Sequence, residues 1–393
     1  MVGKPSASKS REPDLQGHMP VLDGLRGLAI VMVFSYHATV VTPGTWFETA
    51  LHDTFRNFGW CGVDLFFVLS GFLITGLLHD AKGSRGYFRN FYARRVLRIF
   101  PLYYAYLFLL LVVAPRLHSA TPEIIGVGDD ALWFWVYLNN FPTAVAGDWE
   151  HSRFLGHLWS LAIEEQFYVV WPLVVLACGR KSLMIVCAAM VCVSPFVRAA
   201  FLAADFTGVS VYVMTPTRLD ALAMGALVAL AARGEGGVSR LVGPAKKLGL
   251  AGLAGVALVC GWQSGFGYAL PLTSTIGLSL VALLSASLLT LAVGGRLPAP
   301  VSRVLCARPL RGVGRISYAV YVFHQAAIVV SWNLLLLIPD DWLPEYSLIT
   351  LQLLLYALAA VLAVAAALTS WKFYERPILR LKRYFPTPRD ARA

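Results

Sequence analysis

The sequence predicts an all-α fold: a polytopic transmembrane helical bundle of about ten spans with both termini cytoplasmic. Three observations predict it. Hydrophobic residues make up 58% of the chain and charged ones only 14%, well below the roughly 25% usual in soluble domains. Apolar runs recur at lengths near the roughly 20 residues that cross a bilayer as a helix. Finally, Lys and Arg gather in short stretches on one side of these runs, the mark of cytoplasmic loops. The formal net charge of +11 would otherwise invite a nucleic-acid partner; its placement argues for a lipid bilayer and against nucleic acid.

The elements follow in order. Residues 1–19 hold Lys4, Lys9 and Arg11 among Ser and Pro, a disordered cytoplasmic tail with no cleavable signal peptide. One transmembrane domain covers 20–377, and 378–393 form a basic cytoplasmic tail. Spans one to three are expected at about 21–41, 60–79 and 101–115, with a basic loop at 80–99 before the third. Residues 132–141 are apolar but too short to cross, so they read as re-entrant or interfacial. Spans four to ten follow at about 157–178, 182–204, 216–232, 248–263, 271–293, 314–336 and 348–371. No internal repeat is obvious, which weakens a transporter built on inverted halves. The six cysteines are scattered without a CxxC pair, so they read as small buried residues and no metal site is expected.

Ionisable residues inside such spans are costly and face protein or water. On the first span Arg26 and His37 lie eleven residues apart. Eleven residues make about three helical turns, or roughly 16 Å, so the two share a face. His37 is the candidate general base, because an imidazole takes a proton near neutral pH. A base acting on an alcohol gains from a carboxylate on its other ring nitrogen; Asp64, Glu164 and Glu165 are the available partners. The alternative for His37 is a hydrogen bond between helices. On the fourth span His157, Ser160, Glu164 and Tyr168 share one stripe at spacings of three and four. That stripe is either a substrate path or a structural ladder. Arg94, Arg95 and Arg98 mix with aromatics at the cytosolic boundary. They suit a phosphorylated ligand entering from the cytosol, since guanidinium binds phosphate bidentately; the plain alternative is a positive-inside anchor. Arg218 and Asp220 offer an internal ion pair. Ser317, Tyr321 and His324 form one more polar stripe, with Tyr318 on an adjoining face.

Several segments act jointly: LDGLRGLA with a His eleven residues after its Arg, GVDLFFVLSGFLI, RRxxRIxPLYY, HLWSLAIEEQFYxxWP, TRLDALAMG, GRISYAVYVFH and YERP. In this order they resemble the acyltransferase family 3 membrane proteins, over roughly Leu22 to Pro377. The resemblance implies O-acyl transfer from cytosolic acyl-CoA (acetyl-CoA or propionyl-CoA) to a hydroxyl. The family's Arg–His pair falls on Arg26 and His37, its Arg-rich motif on Arg94, Arg95 and Arg98, and its Glu motif on Glu164 and Glu165. With no SGNH-type region after Phe385, the chain looks like the stand-alone type.

The expected enzyme sits in a bacterial cytoplasmic membrane. Its catalytic set is His37, Glu164, Asp64 and Arg26. Acyl-CoA is expected on Arg94, Arg95, Arg98, Arg26 and Tyr318. The acceptor is expected among His157, Trp159, Ser160, Glu165, Tyr168, Arg218, Asp220 and His324. The Ala-, Val-, Leu-, Gly- and Arg-rich composition points to a high-GC bacterium and tilts the expected acceptor towards a macrolide or other glycosylated product. The alternatives are O-acetylation of a cell-surface polysaccharide or lipo-oligosaccharide, or a flippase of amphiphiles. An acyl-His or acyl-Ser relay stays open as the mechanism, and an oligomer is allowed.

Overall fold

The computed structural model describes residues 17, 19–40, 46–117, 130–149, 154–338 and 348–387. Among the described residues the chain is helical throughout, with no strand. The elements are α1 (Pro20–Ala38), α2 (Trp46–Phe58), α3 (Cys61–Ala81), α4 (Tyr87–Phe108), α5 (Ala131–Trp135), α6 (Asn140–Ala146), α7 (Trp159–Ala177) and α8 (Arg180–Ala203). They continue with α9 (Gly208–Val213), α10 (Leu219–Ala231), α11 (Val242–Gln263), α12 (Leu278–Val293), α13 (Ala299–Leu305), α14 (Arg308–Arg315), α15 (Ser317–Leu335) and α16 (Leu348–Ser370).

Nine helical stretches among the described residues are long and apolar enough to cross a membrane. The sixth expected span differs: it is the 13-residue α10, about 20 Å long at 1.5 Å per residue and short of a roughly 30 Å hydrocarbon core. Helix is interrupted before it because side chains capture the local carbonyls. The Thr217 hydroxyl donates to Val211 O and Met214 O at 2.5 Å each. The Arg198 guanidinium donates to Thr217 O at 2.9 Å. Irregular backbone persists in a membrane bundle where protein satisfies it in this way.

Two further expectations change. The basic stretch at 80–99 is not a loop in its second half. Gly86, at φ 77°, turns the chain, and α4 then runs from Tyr87 through a π-helical turn to Leu117. The described part of the basic tail is also folded. Residues 376–384 are helical, and the chain after them docks on α4: Asn90 donates to Pro386 O at 2.7 Å and Arg94 to Phe385 O at 3.0 Å. The segment 1–19 lies outside the described residues except for Gly17 and Met19. Around 132–141 the short helices α5 and α6 lie where a non-crossing piece was expected.

At the centre, α3 packs along α10. A Cβ on Gly71 would strike the Leu222 carbonyl, and one on Gly225 the Val68 carbonyl. Glycine at both positions lets the two backbones touch, the usual device where helices associate in lipid. α1 packs on α3, α14 and α15, so it lies among the elements that bear most of the polar residues.

Candidate active site

Three helices share one polarity sorting. Along α1 the order is Arg26 then His37; along α15 it is Ser317, Tyr318, Tyr321, then His324. α7 reads in the opposite sense, with His157 just before its start, then Ser160, Glu164 and Tyr168. Arginine, serine and carboxylate gather at one end of this trio, and three histidines at the other.

The first end is a cavity of about 120 Å³. Its cations are Arg26, Arg95 and Arg98; its other polar groups include Ser70, Ser160, Glu164, Tyr168, Ser317 and Tyr321. Asp23 holds Arg26 in place at 3.7 Å and meets Arg315 at 3.4 Å. Tyr168 OH donates to Glu164 Oε2 at 3.1 Å and lies 2.5 Å from Ser70 Oγ. Arg95 Nε is buried with no hydrogen-bond partner among the described residues. Leaving such a donor unpaired costs about 1–3 kcal/mol, more when charged, so the site suits an incoming anion. Tyr318 lines the cavity, but its hydroxyl donates to Ile99 O at 2.6 Å. Arg94 does not line it: a helix places adjacent residues 100° apart, and Arg94 faces the C-terminal segment.

From the cavity a hydrogen-bonded bridge leads to the histidines. Ser160 Oγ lies 2.5 Å from Tyr321 OH, which donates to His157 O at 2.6 Å. The His157 ring is 4.8 Å from that of His324, and His324 is 5.0 Å from His37, centroid to centroid. The proton positions follow from the acceptors. A carbonyl only accepts. His324 Nδ1, 2.6 Å from Tyr321 O, therefore bears the proton, and its Nε2 holds a lone pair. His37 Nδ1, 3.0 Å from Val33 O and 3.2 Å from His324 Nε2, likewise bears the proton and shares it between them. The free lone pair of His37 is then on Nε2. Both His157 ring nitrogens are buried without a hydrogen-bond partner among the described residues.

Among the described residues, the carboxylate expected on His37 is not there. Asp64 is engaged by Arg218 at 2.7 Å, both side chains almost wholly buried, and Glu164 faces the cavity. His324 occupies the carboxylate's position instead. Arg218 and Asp220 do not pair with each other either: Asp220 accepts from Arg198 at 2.9 Å and from Ser279 at 2.5 Å. Arg198 had not been singled out, although a lone Arg late in the apolar run 182–204 was its signal. Arg218 lies over the rings of Tyr212, Phe67 and Trp159 at 4.7, 5.6 and 6.0 Å, which places Trp159 in this charge cluster. Glu165 is buried, lies off the cavity, and keeps Oε1 unpartnered among the described residues.

Residues 19–372 match the family model described as an acyltransferase domain, Acyl_transf_3. The chain is 28% identical over 384 residues to the peptidoglycan O-acetyltransferase OatA of Listeria monocytogenes, covering 92% of this chain and 56% of that protein. It is 29% identical over 383 residues to the O-acetyltransferase OatA of Staphylococcus aureus, covering 92% and 57%. It is 36% identical over 163 residues to the putative peptidoglycan O-acetyltransferase YrhL of Bacillus subtilis, covering 40% and 23%. The chain thus spans little more than half the length of the OatA relatives. No solved structure matches. With an all-helical bundle, a polar path through it and a family match over nearly its whole length, this chain belongs to the acyltransferase family 3.

Proposed function

We propose that the chain is a multi-pass membrane O-acyltransferase that moves an acyl group, acetyl above all, from acyl-CoA to a hydroxyl of a cell-surface glycan. The observation behind this reading is the continuous path from the arginine cavity through Ser160 and Tyr321 to the three histidines. A donor with phosphates matches Arg26, Arg95 and Arg98. With the phosphates on these three guanidiniums, which line the cavity, the acyl end extends from it along the bridge towards His37. The relatives' names favour a cell-wall glycan as acceptor over the macrolide that composition suggests. Bacterial relatives and the clustering of basic residues support a bacterial inner membrane as the location, with the arginine end towards its cytoplasmic face.

In this mechanism the acceptor hydroxyl gives its proton to His37 Nε2 as its oxygen attacks the thioester carbonyl carbon. The imidazolium so formed keeps its Nδ1 proton on Val33 O and His324 Nε2. The carbon–sulfur bond breaks, and the thiolate recovers the proton from His37 Nε2, leaving an ester and a thiol. Tyr321 sets the chain of tautomers through its carbonyl and anchors the bridge through its hydroxyl. The test is turnover of acetyl-CoA by purified protein against a panel of N-acetylhexosamine oligosaccharides and macrolides, read by mass spectrometry. Acetylated oligosaccharide supports the reading. Acetylated macrolide with untouched oligosaccharide refutes the acceptor, and no acetylated product at all refutes the enzyme.

A further inference from the structure

Near the His37 end of α1, a cluster of aromatic rings surrounds the Asp64–Arg218 pair. Its inner members, Trp60, Trp159 and Tyr212, are buried. Its outer members, Tyr36, Trp149 and Tyr268, are only half-buried. Tyr268 stacks on Tyr212 with centroids 4.2 Å apart, and Trp149 Nε1 donates to Tyr268 OH at 2.6 Å. Tyr36 lies 6.4 Å from Tyr268 and 5.1 Å from the His37 ring. The guanidinium of exposed Arg56 sits 4.9 Å over Tyr36.

This outer set differs from the lipid-grade surface elsewhere on the bundle. Exposed residues of α8 and α11 are mostly aliphatic, Ile185, Val193, Leu250 and Leu258 among them, with one exposed aromatic on each, Phe196 and Trp262. Here each ring brings a polar edge, a phenol or an indole N–H, and a cation stands beside them. The outer rings meet edge to face, Tyr36 and Tyr268 at 69° and Trp149 and Tyr268 at 85°, and such an angular aromatic platform with polar edges matches a ligand that is apolar on its faces and polar around its rim. A pyranose ring is such a ligand: its axial C–H groups make an apolar face, and its hydroxyls point outwards. The platform also adjoins the base, whereas Arg26 lies about 16 Å along the helix at 1.5 Å per residue. The donor and a sugar could therefore approach His37 from different sides.

We infer that Tyr36, Trp149 and Tyr268, with Arg56, form the acceptor subsite and stack a pyranose ring of the glycan beside His37. This rests on the O-acyltransferase reading above. Ring stacking supplies the affinity, and the phenol and guanidinium edges select hydroxyl-bearing rims.

The test is steady-state kinetics with acetyl-CoA and a tetrasaccharide of N-acetylglucosamine, for wild type, Trp149→Ala, Trp149→Phe and Arg56→Ala. Trp149→Ala should raise the tetrasaccharide KM by about tenfold, equivalent to roughly 1.4 kcal/mol, and leave the acetyl-CoA KM within about twofold. Trp149→Phe should recover most of the loss. Arg56→Ala, a change at the surface, should raise the same KM severalfold, and it decides the matter if Trp149→Ala does not fold. Unchanged tetrasaccharide KM in both alanine variants overturns the subsite and leaves the enzyme reading standing. Wild type that acetylates small alcohols but no oligosaccharide overturns the subsite together with the glycan acceptor.

Discussion

His37 Nδ1 lies 3.2 Å from His324 Nε2, and Tyr321 O holds the far side of the His324 ring at 2.6 Å. The pair joins α1 to α15 across a sequence separation of 287 residues. It fixes the tautomer of His37 through a second imidazole, where a carboxylate would ordinarily do so. A neutral partner stabilises the imidazolium less than a carboxylate does, but it avoids placing another charge inside the bundle.

In the proposed mechanism His324 is a positioning residue. His324→Ala should lower kcat by about 10²-fold, at the low end of what general-base catalysis supplies, with the acetyl-CoA KM held. His324→Gln, which can still accept from His37 Nδ1, should recover part of the rate. Equal loss in both variants, together with a lost melting transition, would mark a purely structural role.

Arg95 and Arg98 line the cavity and Arg94 does not. Arg95→Ala and Arg98→Ala should each weaken acetyl-CoA binding by about 1.5–3 kcal/mol, roughly ten- to hundredfold. Arg94→Ala should change it less than threefold, by the same scale of one charged hydrogen bond lost or kept. Titration with a fluorescent CoA analogue reads all three. An Arg94 effect as large as the others contradicts the assigned cavity.

Ser160 lines the cavity with its hydroxyl 2.5 Å from Tyr321 OH, and among the described residues neither a histidine nor a carboxylate is its hydrogen-bond partner. It lacks an adjacent base of the kind that activates a nucleophile. Ser160→Ala should retain transfer within about tenfold, the cost of one lost neutral hydrogen bond. Loss of all turnover, with an acyl-protein trapped in the wild type, would restore an acyl-serine relay.

The Asp64–Arg218 pair is a matter of stability. Removing one partner from a buried pair costs about 3–5 kcal/mol, because the other charge is left uncompensated. Asp64→Ala and Arg218→Ala should each lower the thermal transition in detergent sharply. The double variant Asp64→Asn with Arg218→Met should lie well above either single one. Additive losses would show that the two residues act independently.

Much of this was legible in the sequence, for physical reasons. Arg26 and His37 stand out because ionisable groups in an apolar run are costly, and a helix of known pitch relates their positions. The 157–168 stripe was readable for the same reason. Pairing was not readable. Asp64 meets Arg218 and Asp220 meets Arg198 because α3, α8 and α10 come together in space, and no local spacing encodes that. The shortness of α10 was hidden because hydropathy counts apolar residues, not the carbonyls that Thr217 and Arg198 take. The outer aromatics were missed because Tyr36, Trp149 and Tyr268 come from three distant segments and resemble ordinary interfacial anchors.

Proton transfer from an acceptor hydroxyl to His37 Nε2 is checked by His37→Ala in purified protein, with acetyl transfer to a glycan oligosaccharide and binding of a fluorescent CoA analogue measured on the same sample. Transfer should fall by about 10³-fold or more, within the range expected for general-base catalysis, with CoA binding unchanged. Transfer at the wild-type rate in His37→Ala would contradict it.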